Sequence, residues 1–373
     1  MPNLEHDDEV LEKLESLGDQ LIEQIENQEN PTIEKPVRSR SNVEFDEDNE
    51  LLRLGDSMSS RYFMNIGHAR KFMQTIMIAS KCKELINEGR TASVRELYYQ
   101  LKRTVPGLDE NTLEDQDESD PVIVDLETAL DVLREHLHLI AEPKGRLFGP
   151  LTIEDEGDQI NCLQLGKSGL GVPSIVDDYK FVEHDADYVL VVETSAMAAR
   201  LVEEDFHKEH NAIILSAGGQ PSRGVRRLTR LLHDRLDLPV YIFTDGDPYG
   251  YYIYSVLTAG SMNLAFESKR LATPEANLIG MTMQDIDAYG LENVTENLKG
   301  KAPDQSGGPT ADYKRAKDMM GYEWFQKDAW QQELQTMIDR GIRVEQQALA
   351  ANNLQFVAET YLPEKINEGN FLP

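Results

Sequence analysis

The chain has 373 residues, which allows two compact domains with tails, because a single core usually stops growing near about 250 residues. No apolar run approaches the ~20 residues that span a bilayer, and the N-terminal MPNLEHDDEV lacks the basic and apolar regions of a signal peptide. Its two cysteines, Cys82 and Cys162, are too few for a disulfide framework or a structural zinc site. These features argue against a membrane-spanning or disulfide-stabilised protein and predict a cytoplasmic one.

The net charge of −30 and the isoelectric point near 4.6 argue against a polyanionic partner, because affinity for nucleic acids normally comes from Lys and Arg neutralising phosphates. A cytoplasm of molar salt offers a different explanation of this charge. There a Debye length of ~3 Å removes long-range repulsion, and an acidic surface keeps the protein hydrated. Composition alone leaves both interpretations open, so only local basic patches can indicate a partner.

Residues 1–58 are polar and acidic, and we predict a largely disordered N-terminal extension there. Within it, apolar residues recur at helical spacing: Leu11, Leu14, Leu17, Leu21 and Ile25. This pattern predicts one short amphipathic helix that could dock on a partner protein. A transient, solvated helix would show the same pattern.

Residues 59–150 have the pattern of three helices followed by short strands. The first helix is expected over Ser59–Asn87, and the second begins at Ser93, where Glu96 completes a capping-box signature. A third helix is predicted over ALDVLREHLHLI (129–140), and RLFGPLTIED reads as a turn into strands. Three helices with a small β wing suggest a winged-helix domain.

Residues 151–373 alternate short apolar runs with longer helical segments. The runs are DYVLVVET (187–194), NAIILSAGG (211–219) and PVYIFTDGDPYG (239–250), and they predict an α/β fold whose parallel sheet is flanked by helices. Helices are expected in the C-terminal part. Its aromatic residues are assigned to core packing: Tyr322, Trp324, Phe325 and Trp330.

Three carboxylates follow the predicted strands, where ligands collect at the carboxyl ends of parallel strands. Glu193 comes after one strand, and Asp245 and Asp247 come after another, separated by Gly246, which would let the loop curl. Hard oxygen ligands of this kind suit Mg²⁺. The alternative is a polar turn in which an Asp caps the following helix.

A tyrosine pair supplies a candidate nucleophile. Tyr98 and Tyr99 are adjacent on the capped helix, so their side chains diverge by about 100° and cannot both face the core. A phenol attacks poorly unless a cation favours its anion, and Arg95 lies one turn before Tyr99. Two aromatic residues used only in helix packing would give the same pattern.

These motifs together carry a resemblance to a known family. They are TASVRELYYQ (91–100), Glu193 in VVET and TDGDPYGYYIYS (244–255), supported by AGGQPSRGVRR (217–227) and the closing YLPEKI. The set resembles the A subunits of archaeal DNA topoisomerase VI, a family that also includes the meiotic break-forming protein Spo11. The resemblance implies a winged-helix (CAP-like) domain over 59–150 and a Toprim domain over 151–373 with a helical C-terminal region.

The resemblance also assigns roles to residues. Tyr99 matches the nucleophile of the family motif R-[ED]-[LI]-[YF]-Y, Arg95 matches the arginine of that motif, and Glu193, Asp245 and Asp247 match the carboxylates that hold Mg²⁺. The implied activity is an ATP-dependent type IIB DNA topoisomerase, in which this chain makes a transient staggered double-strand break through 5′-phosphotyrosyl links. A second duplex passes through this break, which is then religated.

The family implies partners as well. Two A subunits dimerise, and a separate B subunit binds ATP, giving an A₂B₂ assembly on double-stranded DNA. This chain lacks the GxxxxGK[ST] motif of a P-loop. Nucleoid association is expected, and the acidic composition suggests a halophilic archaeon.

Basic residues that could contact DNA phosphates are Lys144, Arg146, Arg223, Arg226 and Arg227. Pairing of the arginines with neighbouring carboxylates is an equally good interpretation. Other functions also stay open: a Spo11-type protein that breaks DNA for recombination, a Toprim primase or nuclease that forms no covalent link, and a catalytically silent scaffold.

Overall fold

Helices and short strands alternate along the described chain, residues 6–107 and 109–373 of a computed structural model. The helices are α1 (Asp7–Glu26), α2 (Ile66–Glu88), α3 (Val94–Leu101), α4 (Gln116–Leu130), α5 (Ser195–Glu203), α6 (Phe206–Glu209), α7 (Arg223–Leu236), α8 (Pro248–Thr258), α9 (Ser268–Leu271), α10 (Met283–Ala288), α11 (Ala311–Met320), α12 (Asp328–Arg340) and α13 (Leu362–Glu368). The strands are β1 (Thr32–Pro36), β2 (Val43–Asp46), β3 (Leu51–Leu54), β4 (Met58–Tyr62), β5 (Ala92–Ser93), β6 (Leu139–Ile140), β7 (Arg146–Phe148), β8 (Leu151–Asp155), β9 (Asp158–Asn161), β10 (Leu170–Gly171), β11 (Lys180–His184), β12 (Tyr188–Val192), β13 (Ala212–Ser216), β14 (Val240–Phe243), β15 (Asn277–Gly280), β16 (Glu296–Asn297) and β17 (Ile342–Arg343). Across these two ranges, no helix has both the length and the apolar character that crossing a bilayer requires.

The largest sheet has six strands in the order β10-β7-β13-β12-β14-β15. Its strands β13, β12, β14 and β15 are parallel, and β7 and β10 add antiparallel pairs at one edge. Every residue of β12 and β13 is buried, as expected for strands covered on both faces by helices. The predicted parallel α/β sheet is therefore confirmed.

A smaller antiparallel sheet, in the order β11-β8-β9, precedes the parallel strands in the chain. The strands predicted to follow RLFGP are thus present. Strand β7, which lies before the boundary predicted at residue 150, pairs with β13 of the large sheet, with Leu147 opposite Leu215. The division at residue 150 stays a prediction.

Helices α2, α3 and α4 share a core that contains the fully buried Ile78, Leu97 and Leu126. The helix predicted over 129–140 is wrong, because α4 begins earlier, at the cap Asp115, and ends at Leu130. The next residue, Asp131, has φ +49°, which stops the helix, and a 3₁₀ turn and β6 follow. Strands β5 and β6 form a short parallel pair.

The described part of the N-terminal extension, residues 6–58, is ordered, so the prediction of a largely disordered segment is wrong there. Its amphipathic helix is confirmed as α1. The apolar side of α1 packs within its own chain, because Val10 and Leu14 join Cys82 and Leu85 of α2 in one cluster. Burial of this face stabilises a segment that composition alone describes as too polar to fold. Residues 1–5 lie outside the described residues.

Long-range ion pairs also hold the N-terminal segment. Lys35, Arg38 and Arg61 contact the carboxylate of Asp125 on α4 at 2.9, 2.8 and 2.7 Å. Burial alone would raise the pKa of Asp125, but the hydrogen bonds from these three cations lower it below its ordinary value. Cations of the N-terminal segment and of β4 therefore meet one buried carboxylate of α4.

The C-terminal region is helical, as predicted, and its aromatic cluster belongs to the core. Trp330 and Phe325 are 0% and 1% exposed. Tyr322 and Trp324 are partly buried against the same core, and their ring centres stack 4.7 Å apart. The assignment of these rings to packing is confirmed.

Candidate active site

The tyrosine pair lies on α3, a helix of eight residues whose start is fixed by its own sequence. The Ser93 hydroxyl accepts a hydrogen bond from the Glu96 backbone N–H at 3.1 Å, and the Glu96 carboxylate accepts one from the Ser93 N–H at 2.7 Å. This reciprocal pair satisfies two backbone donors that the first turn would otherwise leave free. The predicted capping box is confirmed.

The two tyrosines have different environments. Tyr98 is 8% exposed, and its hydroxyl donates to the Glu114 carbonyl at 2.9 Å and accepts from Lys102 Nζ at 2.8 Å. Tyr99 is 61% exposed, and its ring packs against that of Tyr98 with the two ring centres 5.0 Å apart. The geometry thus separates a structural phenol, Tyr98, from an accessible one, Tyr99.

Arg95 is exposed, as Tyr99 is, and it lies four residues before Tyr99 on the same helix. Among the residues that the structure describes, no hydrogen bond or ion pair engages its guanidinium. Its charge is therefore available to an anionic ligand. No hydrogen bond joins Tyr99 to a strand-end carboxylate within the described parts of the protomer.

The strand-end carboxylates come together as predicted. Strands β12 and β14 are parallel neighbours in register, with Val192 opposite Phe243, so the residues that follow them meet at one edge of the sheet. The Glu193 carboxylate accepts a hydrogen bond from the Asp245 backbone N–H at 3.0 Å. We refer to Glu193, Asp245 and Asp247 as the carboxylate edge.

Backbone donors orient both aspartates of this edge as well. Asp245 Oδ1 accepts from the Gln346 N–H at 2.8 Å. Asp247 caps α8, and its Oδ1 accepts from the N–H groups of Tyr249 and Gly250 at 2.8 and 2.7 Å. The capping role that we weighed as an alternative for an Asp at this turn is therefore real for Asp247, whose other oxygen faces Arg343 at 3.5 Å.

Gly246 is required for a reason that differs from the one we predicted. Its backbone pairs with Val344 from the C-terminal region, through hydrogen bonds of 2.8 and 3.2 Å. A Cβ at this position would lie 2.8 Å from Val344 Cγ1 and 3.0 Å from the Met281 carbonyl oxygen. The loop lacks a side chain here because another segment passes close to it.

The carboxylate edge concentrates negative charge in a poorly solvated place. Burial, followed by repulsion from Asp245, raises the pKa of Glu193 to about 7. Burial also raises the pKa of Asp245 to about 6, with repulsion from Asp247 acting in the same direction. A cation bound here would relieve this repulsion and favour the ionised forms.

The donor set fits Mg²⁺, because the available atoms are carboxylate oxygens that repel one another. In the parts of the chain that the structure describes, no three or more His, Cys, Asp or Glu side chains are arranged so that they could hold a metal ion by themselves. Mg²⁺ commonly takes one or two protein carboxylates and completes its octahedron with water and phosphate oxygens. An open edge of carboxylates therefore suits a metal that is shared with a substrate phosphate.

Sequence reasoning missed residues from the C-terminal region that support this edge. Arg343 Nη1 lies 3.5 Å from Asp247 Oδ2. The Gln346 side chain donates to the Phe243 carbonyl at 2.8 Å and contacts the Thr194 hydroxyl at 3.1 Å. Gln346 and Asp245 are 101 positions apart in the chain, so no local motif indicates their contact.

The basic residues predicted to contact DNA fall into two groups. Arg223 and Arg226 are 7% and 4% exposed and pair with buried glutamates, including Glu267. Arg227 pairs with Asp177 at 2.5 Å. The prediction of DNA contacts is wrong for the two buried arginines, since their charges are neutralised inside the protein, and pairing with carboxylates, our alternative, holds for all three.

Lys144 and Arg146 are exposed. Lys144 Nζ donates to the Gln220 carbonyl at 2.6 Å, and Arg146 Nη1 donates to the Ser168 carbonyl at 2.5 Å. Neither makes an ion pair within the described residues. Their positive charges are therefore free to meet phosphates.

Three protein-family models match this chain in succession. One described as "Type IIB DNA topoisomerase" matches residues 70–139, which include the tyrosine helix. One described as "All-beta domain in DNA topoisomerase VI alpha subunit" matches 142–185, which include the small antiparallel sheet. One that describes the Toprim domain common to Spo11 and the topoisomerase 6 A subunit matches 188–366, which include the carboxylate edge.

Curated relatives match over nearly the whole chain, and each is named as the A subunit of type 2 DNA topoisomerase 6. The protein from Pyrococcus horikoshii is 53% identical over 98% of this chain and 95% of its own length. That from Hyperthermus butylicus is 39% identical over 95% and 93%, and that from Halobacterium salinarum is 38% identical over 96% of each. The chain therefore belongs to the type IIB DNA topoisomerase family that includes the A subunits of topoisomerase 6 and Spo11.

Proposed function

We propose that Tyr99 is the nucleophile through which this DNA-cleaving subunit breaks and rejoins a DNA strand. The observation that carries this proposal is the contrast on α3, where Tyr98 is buried and hydrogen-bonded while Tyr99 is 61% exposed. The Tyr99 phenolic oxygen attacks a backbone phosphorus and forms a phosphotyrosyl bond as the bond from phosphorus to the 3′ oxygen breaks. The phenol gives up its proton, and the departing oxygen takes one to become a 3′-hydroxyl.

Arg95 supports this step through its unpaired guanidinium. A phenol with an ordinary pKa near about 10 is mostly protonated at neutral pH, and a nearby cation favours its anion. The same cation can contact the phosphate under attack. Religation reverses the reaction, because the phosphotyrosyl bond conserves the bond energy of the phosphodiester.

The carboxylate edge would hold Mg²⁺ through Glu193, Asp245 and Asp247. When bound, the ion neutralises charge on phosphate oxygens and orients the phosphodiester. The chain prepares this site by fixing Asp245 with the Gln346 N–H and Asp247 with the first turn of α8. Fixed carboxylates reduce the reorganisation that the reaction would otherwise require.

We further propose that two copies of the chain dimerise and that Tyr99 of one works with the carboxylate edge of the other. The lack of a hydrogen bond between these groups in the described protomer supports this arrangement. Two such composite sites would make the two nicks of a staggered double-strand break. The winged-helix (CAP-like) interpretation of residues 59–150 is part of this proposal, since such a domain would carry α3 onto the DNA.

ATP would be supplied through a B subunit in an A₂B₂ assembly at the nucleoid. The relatives' name, which specifies one lettered component of topoisomerase 6, supports an enzyme of several different chains. Helix α1 stays a candidate contact, because Ile22 and Ile25 on it are 55% and 60% exposed although its other apolar residues face the chain. Replacement of the exposed Ile22 and Ile25 together by Ser should abolish co-purification with the B subunit, and unchanged co-purification would refute this contact.

Lys144 and Arg146 are the predicted basic residues that we still propose as DNA contacts, since both are exposed and lack ion pairs within the described residues. The net charge of −30 supports a cytoplasm of high salt, in which DNA binding would rest on such local cations. Unfolding of the protein as potassium chloride is lowered would support this solvent adaptation, because repulsion among its carboxylates is then less screened. Full activity at low salt would refute it.

The test of the proposed function is a cleavage reaction with the B subunit, Mg²⁺, an ATP analogue and closed circular plasmid, followed by denaturation. We expect linear DNA with this chain linked covalently to its 5′ ends. Tyr99→Phe should form no adduct, because the ring stays and only the nucleophilic oxygen is lost. The matched control is Tyr98→Phe, which removes a structural hydroxyl and should still form the adduct.

The same experiment separates the rival functions. Free DNA ends would indicate a Toprim nuclease, and the absence of any cleavage would indicate a scaffold. An adduct that persists and is never religated would favour a Spo11-type break-forming protein. Linear DNA that recloses when Mg²⁺ is removed before denaturation supports the topoisomerase.

A further inference from the structure

A groove beside the carboxylate edge combines tyrosine rings with cations. Helix α8, which begins directly after Asp247, packs against α11. The aromatic and basic residues that line the groove between them are Arg40, Tyr249, Tyr252, Lys314, Arg315 and Tyr322, and Asp318 is an acidic residue of the same lining. None of these side chains takes part in the chemistry proposed above, so their arrangement needs its own explanation.

The centre of the groove is the guanidinium of Arg315. Its central carbon lies 5.2 Å from the ring centre of Tyr249 and 5.3 Å from that of Tyr252. Arg315 itself is exposed, and no hydrogen bond or ion pair with any described residue occupies its N–H groups. Two rings thus hold a cation whose donors face solvent, which is an arrangement suited to an external anion.

Charge in and around the groove favours the same kind of ligand. Arg40 also lacks an ion pair within the described ranges, whereas Lys314 pairs with Asp318 at 2.8 Å. Such uncompensated cations stand out on a chain whose net charge is −30. They lie next to an exposed ring, because Tyr249 is 47% exposed. Cations that meet phosphates and rings that meet sugars or bases are the two parts of a site for a DNA strand.

Tyr249 connects the groove with the carboxylate edge, because it lines the groove and lies two residues after Asp247. The Tyr249 N–H donates to Asp247 Oδ1 at 2.8 Å, so Tyr249 belongs to the turn that holds this carboxylate. A DNA strand whose phosphodiester reached the carboxylate edge would continue past this turn. The first neighbours available to it there are Tyr249 and Arg315.

We propose that this groove binds the DNA strand next to the phosphodiester held at the carboxylate edge. Arg315 and Arg40 contact its phosphates, and the Tyr249 ring packs against a sugar or base. The inference rests on the proposed function, because it takes the carboxylate edge as the place where DNA is cut. It adds a positioning site outside the reacting groups.

The experiment measures binding of the complete assembly to a short DNA duplex, with Tyr99→Phe in every protein so that cleavage cannot interfere. We expect Arg315→Ala to raise Kd roughly ten-fold and to reduce the slope of log K against log salt by about 1, as loss of one phosphate contact predicts. Arg315→Lys should keep most of the salt slope. The matched control is Lys317→Ala, because Lys317 is exposed on the same helix but does not line the groove.

The contribution of the Tyr249 ring to DNA binding is tested separately. Tyr249→Leu should weaken binding several-fold with an unchanged salt slope, and Tyr249→Phe should bind like the parent protein. Light scattering on each variant reports the oligomeric state. Unchanged Kd and salt slope for Arg315→Ala would overturn the proposal, and so would dissociation of the dimer of this chain, which would make the groove a protein interface.

Failure of this inference is distinguishable from failure of the proposed function. With Tyr99 intact, Arg315→Ala should still form the covalent adduct, and more DNA should restore its yield. If the wild-type chain forms no adduct while Arg315→Ala still weakens binding, the proposed chemistry fails and the groove stands. If the adduct forms and Arg315→Ala binds DNA normally, the proposed DNA binding in the groove is wrong and the proposed cleavage chemistry is supported.

Discussion

The tyrosine helix and the carboxylate edge reach functional geometry by opposite routes. Helix α3 is mainly local, because Ser93 and Glu96 cap it and Tyr98 and Tyr99 are adjacent on it, although burial of Tyr98 also uses the Glu114 carbonyl. The carboxylate edge is assembled from two parallel strands and from Gln346, which lies 101 positions from Asp245. The comparison teaches that one capped helix is enough to place two adjacent tyrosines, whereas carboxylates far apart in the chain need a whole sheet to bring them together.

The largest effect should follow from changes in the carboxylate edge. Asp245→Asn removes a charge that the metal needs but keeps the shape and the acceptor for the Gln346 N–H, so the fold should persist. We expect cleavage to fall at least about a hundred-fold, since metal stabilisation of a phosphoryl transition state is worth several kcal/mol. The measurement is the initial rate of adduct formation at saturating Mg²⁺.

The matched control for this change is Glu345→Gln, because Glu345 is an exposed neighbour that contributes repulsion to Asp245 without belonging to the edge. It should leave the rate nearly unchanged. Equal losses for the two variants would show that net charge, not a defined ligand set, matters at this edge.

The next effect concerns the ion pairs that connect α4, which packs beside the tyrosine helix, with α7, which packs on the large sheet. Arg223 on α7 contacts Glu127 on α4 at 2.6 Å and Glu267 at 2.7 Å, and all three are buried. Arg223→Ala would leave these carboxylates without their partner, so we expect a loss of about 3–5 kcal/mol in the free energy of unfolding. Chemical denaturation followed by fluorescence measures it.

Arg340→Ala is the comparison for this loss, because Arg340 pairs with the exposed Asp287. It should cost about 0–1 kcal/mol. A small cost for Arg223→Ala as well would mean that the buried pairs contribute little to the connection between α4 and α7.

Binding of Mg²⁺ should depend on pH. The pKa values of Glu193 and Asp245 are raised to about 7 and about 6, so below pH 6 both carboxyls hold protons that the metal must displace. Affinity should therefore increase as pH rises, on the order of ten-fold between pH 6 and pH 8, and then level off. Calorimetric titration of the full assembly measures this.

The stability of the metal-free protein should change with pH in the opposite direction. Raised pKa values mean that the folded state holds protons that the unfolded chain releases, so stability falls as pH rises toward the folded-state values. Added Mg²⁺ should remove this loss of stability at higher pH, because it favours the ionised carboxylates of the folded state. Affinity that is constant from pH 6 to pH 8 would contradict the proposed role of these carboxyls.

The smallest effect should come from the cap of the tyrosine helix. Ser93→Ala removes the acceptor for the Glu96 N–H and should destabilise α3 by about 1 kcal/mol. Hydrogen exchange of residues 94–101 should become several-fold faster. Ser80→Ala, a change at an exposed position within α2, should leave exchange in α3 as it is, and equal protection in both variants would show that the cap does not stabilise α3.

Much of the fold follows from the sequence, because buried parallel strands such as β12 and β13 read as continuous apolar runs bounded by helices. The helix α1 could be predicted from its apolar spacing, but the order of the N-terminal segment could not, since it involves packing of Leu14 on α2 and pairing of Lys35 with Asp125 on α4. The helix predicted over 129–140 failed because apolar spacing continued past the turn at Asp131.

The residues of the candidate site also fall into some that the sequence predicts and some that it does not. The strand ends identified the carboxylate edge, because adjacent parallel strands bring their following residues together. Choosing between Tyr98 and Tyr99 required either the family motif or the structure, since the helical pattern alone does not say which ring faces the core. Arg343 and Gln346 stayed invisible, because nothing near them in sequence marks a contact with Asp247 or Asp245.

The most direct measurement is to identify the residue that carries DNA in the trapped covalent complex. Nuclease digestion of the adduct, followed by proteolysis and mass spectrometry, would leave a nucleotide on one peptide. We predict that this peptide contains residues 94–101 and that fragmentation places the phosphate on Tyr99. A nucleotide on Tyr98, on any other residue, or on no peptide although DNA is cut would contradict the assignment of Tyr99 as the nucleophile.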